Sequence, residues 1–279
     1  MPKTTRDARG REIHLYDDSN WQELLTPPFG RMMGARPIEE HPVYRDYAAV
    51  PYTEYVEDFP LIPRSEWDSR IEEMDAKDMW PTDHFRFDSF DQDGLGYCWI
   101  NCVAQAMTLC RDMQGHPHRR ISSASMGGPI KNYRNQGGWP EDGVDYAIEH
   151  GAVDQNHWGN NALNRSLYNP TLDHRKHYKV TKAYKCSRES FDEAATCAFR
   201  CHGGIGSFNW WGHAVMYGVR VVKLGRSDYG IELRNSWGEG WGSKNKHGVG
   251  GFSVLEGRKS LPSDMIVVAQ VTPSVGVPA

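Results

Sequence analysis

No stretch near the start of this chain is apolar, and none anywhere is long enough to cross a membrane. MPKTTRDARGREIHLYDD is polar throughout, unlike a secretory signal, and no run approaches the roughly 20 apolar residues of a transmembrane helix. The expectation is a protein that starts in the cytosol and has no membrane partner. A dense basic run is missing too. Lys and Arg number 32 against 36 Asp and Glu, a net charge of −4, so nucleic acid is not an expected partner. Cysteine is absent from residues 1–85, and proline is concentrated there. Nine of the 16 prolines (Pro2, Pro27, Pro28, Pro37, Pro42, Pro51, Pro60, Pro63 and Pro81) fall in this region.

That proline density breaks helices and favours extended chain. Residues 1–85 therefore read as an extended Pro/Tyr-rich arm, with short helices only around 20–25 and 65–76. In the second, Trp67, Ile71 and Met74 share one face behind Ser65 as N-cap. Tyr44, Tyr47, Tyr52, Tyr55, Val56 and Phe59 are too apolar for a solvated tail. The arm is expected to lie over its own body or over a partner chain.

The chain is organised around Asp91-Gln92-Asp93-Gly94-Leu95-Gly96-Tyr97-Cys98-Trp99. A glycine-punctuated loop ends on a cysteine, and a helical pattern begins on it. Trp99, Cys102, Val103, Ala106, Leu109 and Cys110 recur at helical spacing, and Gly115 with Pro117 supplies the stop. A thiol at a helix N-terminus sits where unpaired N–H groups favour negative charge, which is where a thiolate forms most readily. Downstream stand Trp211-Gly212-His213-Ala214 and Arg234-Asn235-Ser236-Trp237-Gly238, a base and an orienting amide for that nucleophile.

Gln92, Cys98-Trp99, His213-Ala214, Asn235-Ser236-Trp237-Gly238 and Trp241-Gly242 follow one another as the motifs of the papain-like cysteine peptidases do. The chain resembles that family. The resemblance implies an α+β fold of two subdomains facing across a cleft, a helical one over 86–185 and an antiparallel barrel-like one over 186–258. A C-terminal strand and tail would follow over 259–279. It implies Cys98 as nucleophile, His213 as base and acid, Asn235 as the group orienting the imidazole, and Gln92 as oxyanion donor. Trp237 would shield the His213–Asn235 bond. Gly137-Gly138, bare of side chains, would pair with an extended peptide substrate.

Several departures from the family pattern carry expectations of their own. Leu95 and Asn135 stand where the family usually has a bridged cysteine pair, so no structural disulfide is expected. Cys98/Cys102 and Cys197/Cys201, each one helical turn apart with His202 nearby, have metal-ligand spacing. They read instead as small buried residues, and neither metal nor cofactor is expected. Tyr97, bulky beside the nucleophile, is expected to narrow the cleft floor. Only Trp210-Trp211-Gly212 separates the strand over 203–209 from the one led by His213, which shortens the Cys98-to-His213 spacing and lowers one cleft wall.

Further strands are expected over 214–223, 229–234, 252–255 and 265–271. Helices are expected over 141–150 and behind the Ser190/Glu193 capping box. Residues 157–182 read as a polar surface loop carrying the exposed His174 and His177.

Two functions are compatible with this reading. One is a cytosolic or particle-associated thiol peptidase acting on a peptide or protein substrate. The other is a papain-fold module with a structural role in a virus or phage particle, the arm and the C-terminal tail serving as assembly contacts. The family's inhibitory N-terminal segment usually carries a helical motif that is absent here, so assembly is the favoured role for the arm.

Overall fold

A single eight-stranded sheet carries the fold, and its order explains why the N-terminal region cannot be a loose arm. The structure is a computed structural model describing residues 2–7, 9–42, 60–85, 88–167 and 177–273. The strands are β1 (Lys3–Arg6), β2 (Glu12–Tyr16), β3 (Val180–Lys185), β4 (Gly203–Phe208), β5 (His213–Lys223), β6 (Tyr229–Arg234), β7 (Phe252–Leu255) and β8 (Asp264–Val271). They lie in the order β1-β2-β7-β6-β5-β4-β8-β3. The helices are α1 (Trp67–Ala76), α2 (Pro81–His84), α3 (Cys98–Met113), α4 (Ala124–Ile130), α5 (Pro140–Glu149) and α6 (Phe191–Phe199).

Strand β5 is buried almost end to end because both its faces are covered. Alternation sends Ala214 and Met216 into one apolar cluster with α3, and Val215 and Tyr217 into another with α6 and α1. Strand β8 divides in the same way, Ile266 and Val268 to the α3 side and Met265 and Val267 to the other. Helix α3 lies close against the sheet at Gly203, where a Cβ would come within 2.5 Å of the Ala106 carbonyl oxygen. The nucleophile candidate at the start of α3 is thereby fixed relative to the histidine at the start of β5.

The arm is corrected by this topology. Hairpin β1–β2 extends the sheet, β2 pairing in parallel with β7 through Leu15–Val254 and Tyr16–Leu255. Ile13 and Leu15 pack on Val222 and Val254. Asp7 and Arg220 form an ion pair at 2.7 Å with both side chains 2% exposed. Arg11 bonds Asp7 and Asp83. The expected short helices are present, a 3₁₀ turn over Trp21–Leu25 and α1, the latter presenting Trp67, Ile71 and Met74 inward. Proline limited the helices here, but a parallel strand pairing made across the whole sequence has no local signature.

Other boundaries shift as well. Strand β3, assigned from sequence partly to a loop and to the helical subdomain, pairs with β8. Strand β8 lies between β4 and β3, so a barrel-like unit ending at 258 would be cut through its sheet. Helix α4 was not expected, because it contains Gly127, Gly128 and Pro129. His177 is half-buried and bonded to the His150 carbonyl. His174, the aromatic run 44–59 and the tail 274–279 lie outside the described residues.

Removing Asp7 takes away the nearest carboxylate of the buried Arg220 but leaves Asp75 at 3.2 Å from the same guanidinium, so the cost is that of a broken buried charge-assisted hydrogen bond, about 1–3 kcal/mol. Asp7→Ala is expected to lower stability to urea by that amount. A loss below about 1 kcal/mol, the scale of exposed pairs, would show the hairpin to be peripheral.

Candidate active site

The residues expected to act together start from different elements and converge. Cys98 is the first residue of α3, His213 the first of β5, and Asn235 follows β6. The Ala214 amide, next to His213, points at the Cys98 sulfur. Asn235 Oδ1 lies 2.8 Å from His213 Nε2. The same oxygen accepts from the Ser236 amide at 2.7 Å, which fixes that atom as the acceptor and so His213 Nε2 as the donor. In the neutral ring the lone pair is then on Nδ1, and Nδ1 is buried without a hydrogen-bond partner. Trp211 and Trp237 pack on the imidazole at 4.6 and 4.7 Å between ring centroids.

Gln92 is set with equal definition. Its Oε1 accepts from Ser236 Oγ at 2.6 Å, and its amide nitrogen donates to the carbonyls of Leu95 and Met32, both at 2.6 Å. Two carbonyls cannot accept from an oxygen, so the amide's orientation is determined. Leu95 belongs to the same loop. Met32 does not. It belongs to a strap, residues 31–37, that runs through the site.

The strap fills the cleft between the helical side and the sheet. Gly138 N–H donates to Gly34 O at 2.9 Å, Arg36 N–H to Gly138 O at 3.0 Å, and Ala35 N–H to Gly212 O at 3.2 Å. Ala35 and Gly138 form a parallel bridge. The Gly34 amide lies near the Cys98 sulfur, whereas the Ala35 N–H is the one given to Gly212 O. A Cβ on Gly34 would meet Gly96 O at 2.0 Å, and one on Gly137 would meet Gly34 O at 2.5 Å, so the contact exists only because both residues are glycine. Arg31 pairs with Asp91, and Trp139 Nε1 donates to Pro37 O at 2.8 Å. The extended strand expected at Gly137-Gly138 is thus, in this structure, the chain's own.

Under the strap Cys98 and His213 are both completely buried. Burial pushes the Cys98 thiol up to about 11 and His213 down to about 4, because the charged form of each has lost its water. Between those limits the pair is thiol and neutral imidazole. Burial also raises the other five thiols, so position rather than acidity distinguishes Cys98.

One expectation changes here. Tyr97 does not project into the cleft. Its ring is buried, with its hydroxyl donating to Gly127 O and Arg134 O, and it packs against Gly127 of α4. Asn135, which stands where the family usually has a bridged cysteine, links the two loops by hydrogen bonds. Its Oδ1 accepts from Gly96 N at 2.8 Å and its Nδ2 donates to Gly94 O at 3.1 Å. Among the described residues no cluster of three or more His, Cys, Asp or Glu side chains could hold a metal. Ser236 and the strap residues Met32, Gly34 and Ala35 were missed from sequence. Ser236 lay inside a motif already singled out, whereas nothing in Met-Met-Gly-Ala-Arg-Pro announces a strap.

Gly34→Ala cannot seat in this strap. Overpacking of this kind costs about 1–3 kcal/mol, or about 5–150-fold in the open fraction. Iodoacetamide should alkylate Cys98 of the variant faster by that factor at neutral pH. In the wild type the rate should climb only as pH rises toward 11, since burial raises the thiol. In the variant an arm of the profile should appear at lower pH, where thiolate and imidazolium pair. Identical profiles would show that the strap does not control the thiol.

No family model and no curated protein matches the sequence. Solved structures do match in shape. Xylellain, a cysteine protease from Xylella fastidiosa, is similar at a TM-score of 0.56 and 16% identity, over 87% of this chain and 97% of that one. Digestive procathepsin L 3 of Tenebrio molitor larval midgut is similar at 0.55 and 13%, over 96% and 83%. The proform of the ragweed pollen cysteine protease Amb a 11 is similar at 0.52 and 15%, over 66% of this chain and 63% of that one, so less than two thirds of the ragweed chain is spanned. Identities this low speak to the fold, and the fold of this chain is that of the papain-like cysteine peptidases.

Proposed function

We propose that the protein is a papain-like thiol peptidase held latent by residues 31–37. The observation that carries this reading is the His213–Asn235 pair. It commits Nε2 to Asn235 as a donor and so makes Nδ1 the basic nitrogen of the neutral ring. The Ala214 amide, one residue on, lies near the sulfur of a thiol that starts a helix.

With the strap displaced, water reaches the pair and Nδ1 takes the Cys98 proton. The thiolate attacks a peptide carbonyl carbon, and the oxygen collects negative charge that the Gln92 amide and the Cys98 N–H stabilise. Leu95 O and Ser236 Oγ hold the Gln92 amide in place; the hydrogen now given to Met32 O becomes the one given to substrate. His213 then donates its proton to the departing amine, leaving a thioester that water hydrolyses with His213 again as base. Asn235 keeps the ring aimed throughout, and Trp237 keeps water from that hydrogen bond. Gly138 exchanges the strap's backbone for the substrate's.

In a Gly34→Ala background, His213→Ala should abolish labelling of Cys98 by a peptidyl epoxide. Gln92→Ala should leave labelling intact and lower peptide turnover roughly 10²–10³-fold, the loss expected for one oxyanion donor. Several cysteines labelling equally, or none in the folded variant, would sink the peptidase reading.

A further inference from the structure

Two segments far apart in sequence bring cationic side chains together, and strand β7 holds both. One is the turn of hairpin β1–β2, whose second strand pairs with β7. Asp7 Oδ1 accepts from the amides of Arg9 and Arg11, both at 2.9 Å, and Gly10 between them takes φ +78°. The two arginines therefore leave the turn from fixed positions. The other segment follows Trp241. Ser243 N–H donates to Phe252 O at 2.7 Å, and Asn245 Nδ2 donates to Thr82 O at 2.8 Å. Ser243 and Asn245 are buried, while Lys244 and Lys246 alternate with them on the exposed side.

Between the two segments is a cavity of about 530 Å³. Arg9, Arg11, His14, Lys244 and Lys246 line it, with Glu12 as the one carboxylate among the described residues of the lining. The carboxylates that pair with these cations stand outside the lining. Asp7 and Asp83, 2% and 1% exposed, hold Arg11 at Nε and Nη1. Asp78 takes Arg9 at 2.8 Å and Lys246 at 3.0 Å, which ties one segment to the other. Donor capacity is left over. Arg11 Nη2 is buried with no hydrogen-bond partner among the described residues, and Lys244 forms no ion pair among them. A guanidinium clamped at two nitrogens and free at the third is a preorganised donor, unlike a mobile surface charge. A buried donor of this kind calls for an acceptor.

We propose that this cavity binds the phosphate group of a small molecule, with Arg11 Nη2 and Lys244 donating from opposite edges and Arg9 and Lys246 at the rim. Phosphate fits better than carboxylate because its oxygens point in several directions, whereas those of a planar carboxylate lie on one side. Cavities of this size hold whole small molecules, so the phosphate belongs to a diphosphate or to an ester carrying a further group. The inference concerns neither Cys98 nor the strap and stands apart from the peptidase reading.

Titration calorimetry of the full-length protein with pyrophosphate, in chloride buffer of low ionic strength, tests it. One saturable site is expected. Saturating pyrophosphate should also raise the melting temperature, because the ligand binds only where the two segments are folded together. Lys244→Gln changes an exposed side chain and should melt as the wild type does without ligand. Its affinity should be lower by about tenfold or more, the effect of one charge-assisted hydrogen bond. Arg11→Lys keeps the charge but not the Nη2 donor and should lose a similar factor. Arg226→Gln, at an exposed arginine outside the cavity, should bind as the wild type does. Glucose 6-phosphate that displaces pyrophosphate would assign the site to phosphate esters, and failure to displace it would assign the site to diphosphates. No saturable binding at millimolar pyrophosphate, unchanged affinity in Lys244→Gln or Arg11→Lys, or an equal loss in Arg226→Gln would each overturn the proposal.

Discussion

The packing of Gly34 between Gly96 and Gly137 is the contact on which the state of the whole site depends. It brings three backbones together at distances no side chain would allow. From that contact the neighbouring groups follow. Gly34 O accepts from Gly138 N–H, the Gly34 amide lies near the sulfur, the Ala35 amide is given to Gly212 O, and Met32 O arrives at the Gln92 amide. In the proposed mechanism the thiolate requires a carbonyl carbon, and the strap sets an N–H near it instead. The Met32 carbonyl stands where that mechanism would hold the substrate's oxygen, so on that reading both halves of the site are occupied by groups that the thiol is not positioned to attack.

Such a strap works only if its ends are stiff, and the stiffness comes from the region of the sequence richest in proline. Ordering a flexible segment costs about 1–2 kcal/mol of backbone entropy per residue. A free tail would meet that cost from its few hydrogen bonds alone. Here much of it is offset before the strap begins, by β2 pairing with β7, by the buried Asp7–Arg220 pair and by Leu24 in the core. The prolines shorten the set of conformations available in between. The region read as an appendage is thus both the sheet's outer edge and the clamp for the strap.

Much of the body was legible in the sequence, for local reasons. Strands β4 to β8 and helices α3, α5 and α6 announce themselves by alternation, by helical period, and by Ser190, whose hydroxyl accepts from Glu193 N–H as a cap should. The catalytic candidates were legible because Cys98, His213 and Asn235 each sit in a short distinctive motif. What failed were features set by distant partners. Strand β3 is polar on its exposed positions and is defined by β8. Tyr97 reads as an obstruction until Gly127 is known to make room for its ring on the inner side. The strap carries no pattern of its own, because its fit depends on glycines and carbonyls contributed by other segments.

The same desolvation that completes the strap's fit also sets the chemistry of the resting site. A thiolate–imidazolium pair needs either water or well-aimed polar groups around it. The sulfur does face amides from Ala214, Gly34 and Trp99, yet burial outweighs them and the thiol stays protonated. On the imidazole, Asn235 favours the charged form and burial again outweighs it. Steric occupation and charge suppression are therefore one event rather than two. A substrate able to expel the strap would have to admit water, or supply equivalent polar groups, before the pair could ionise.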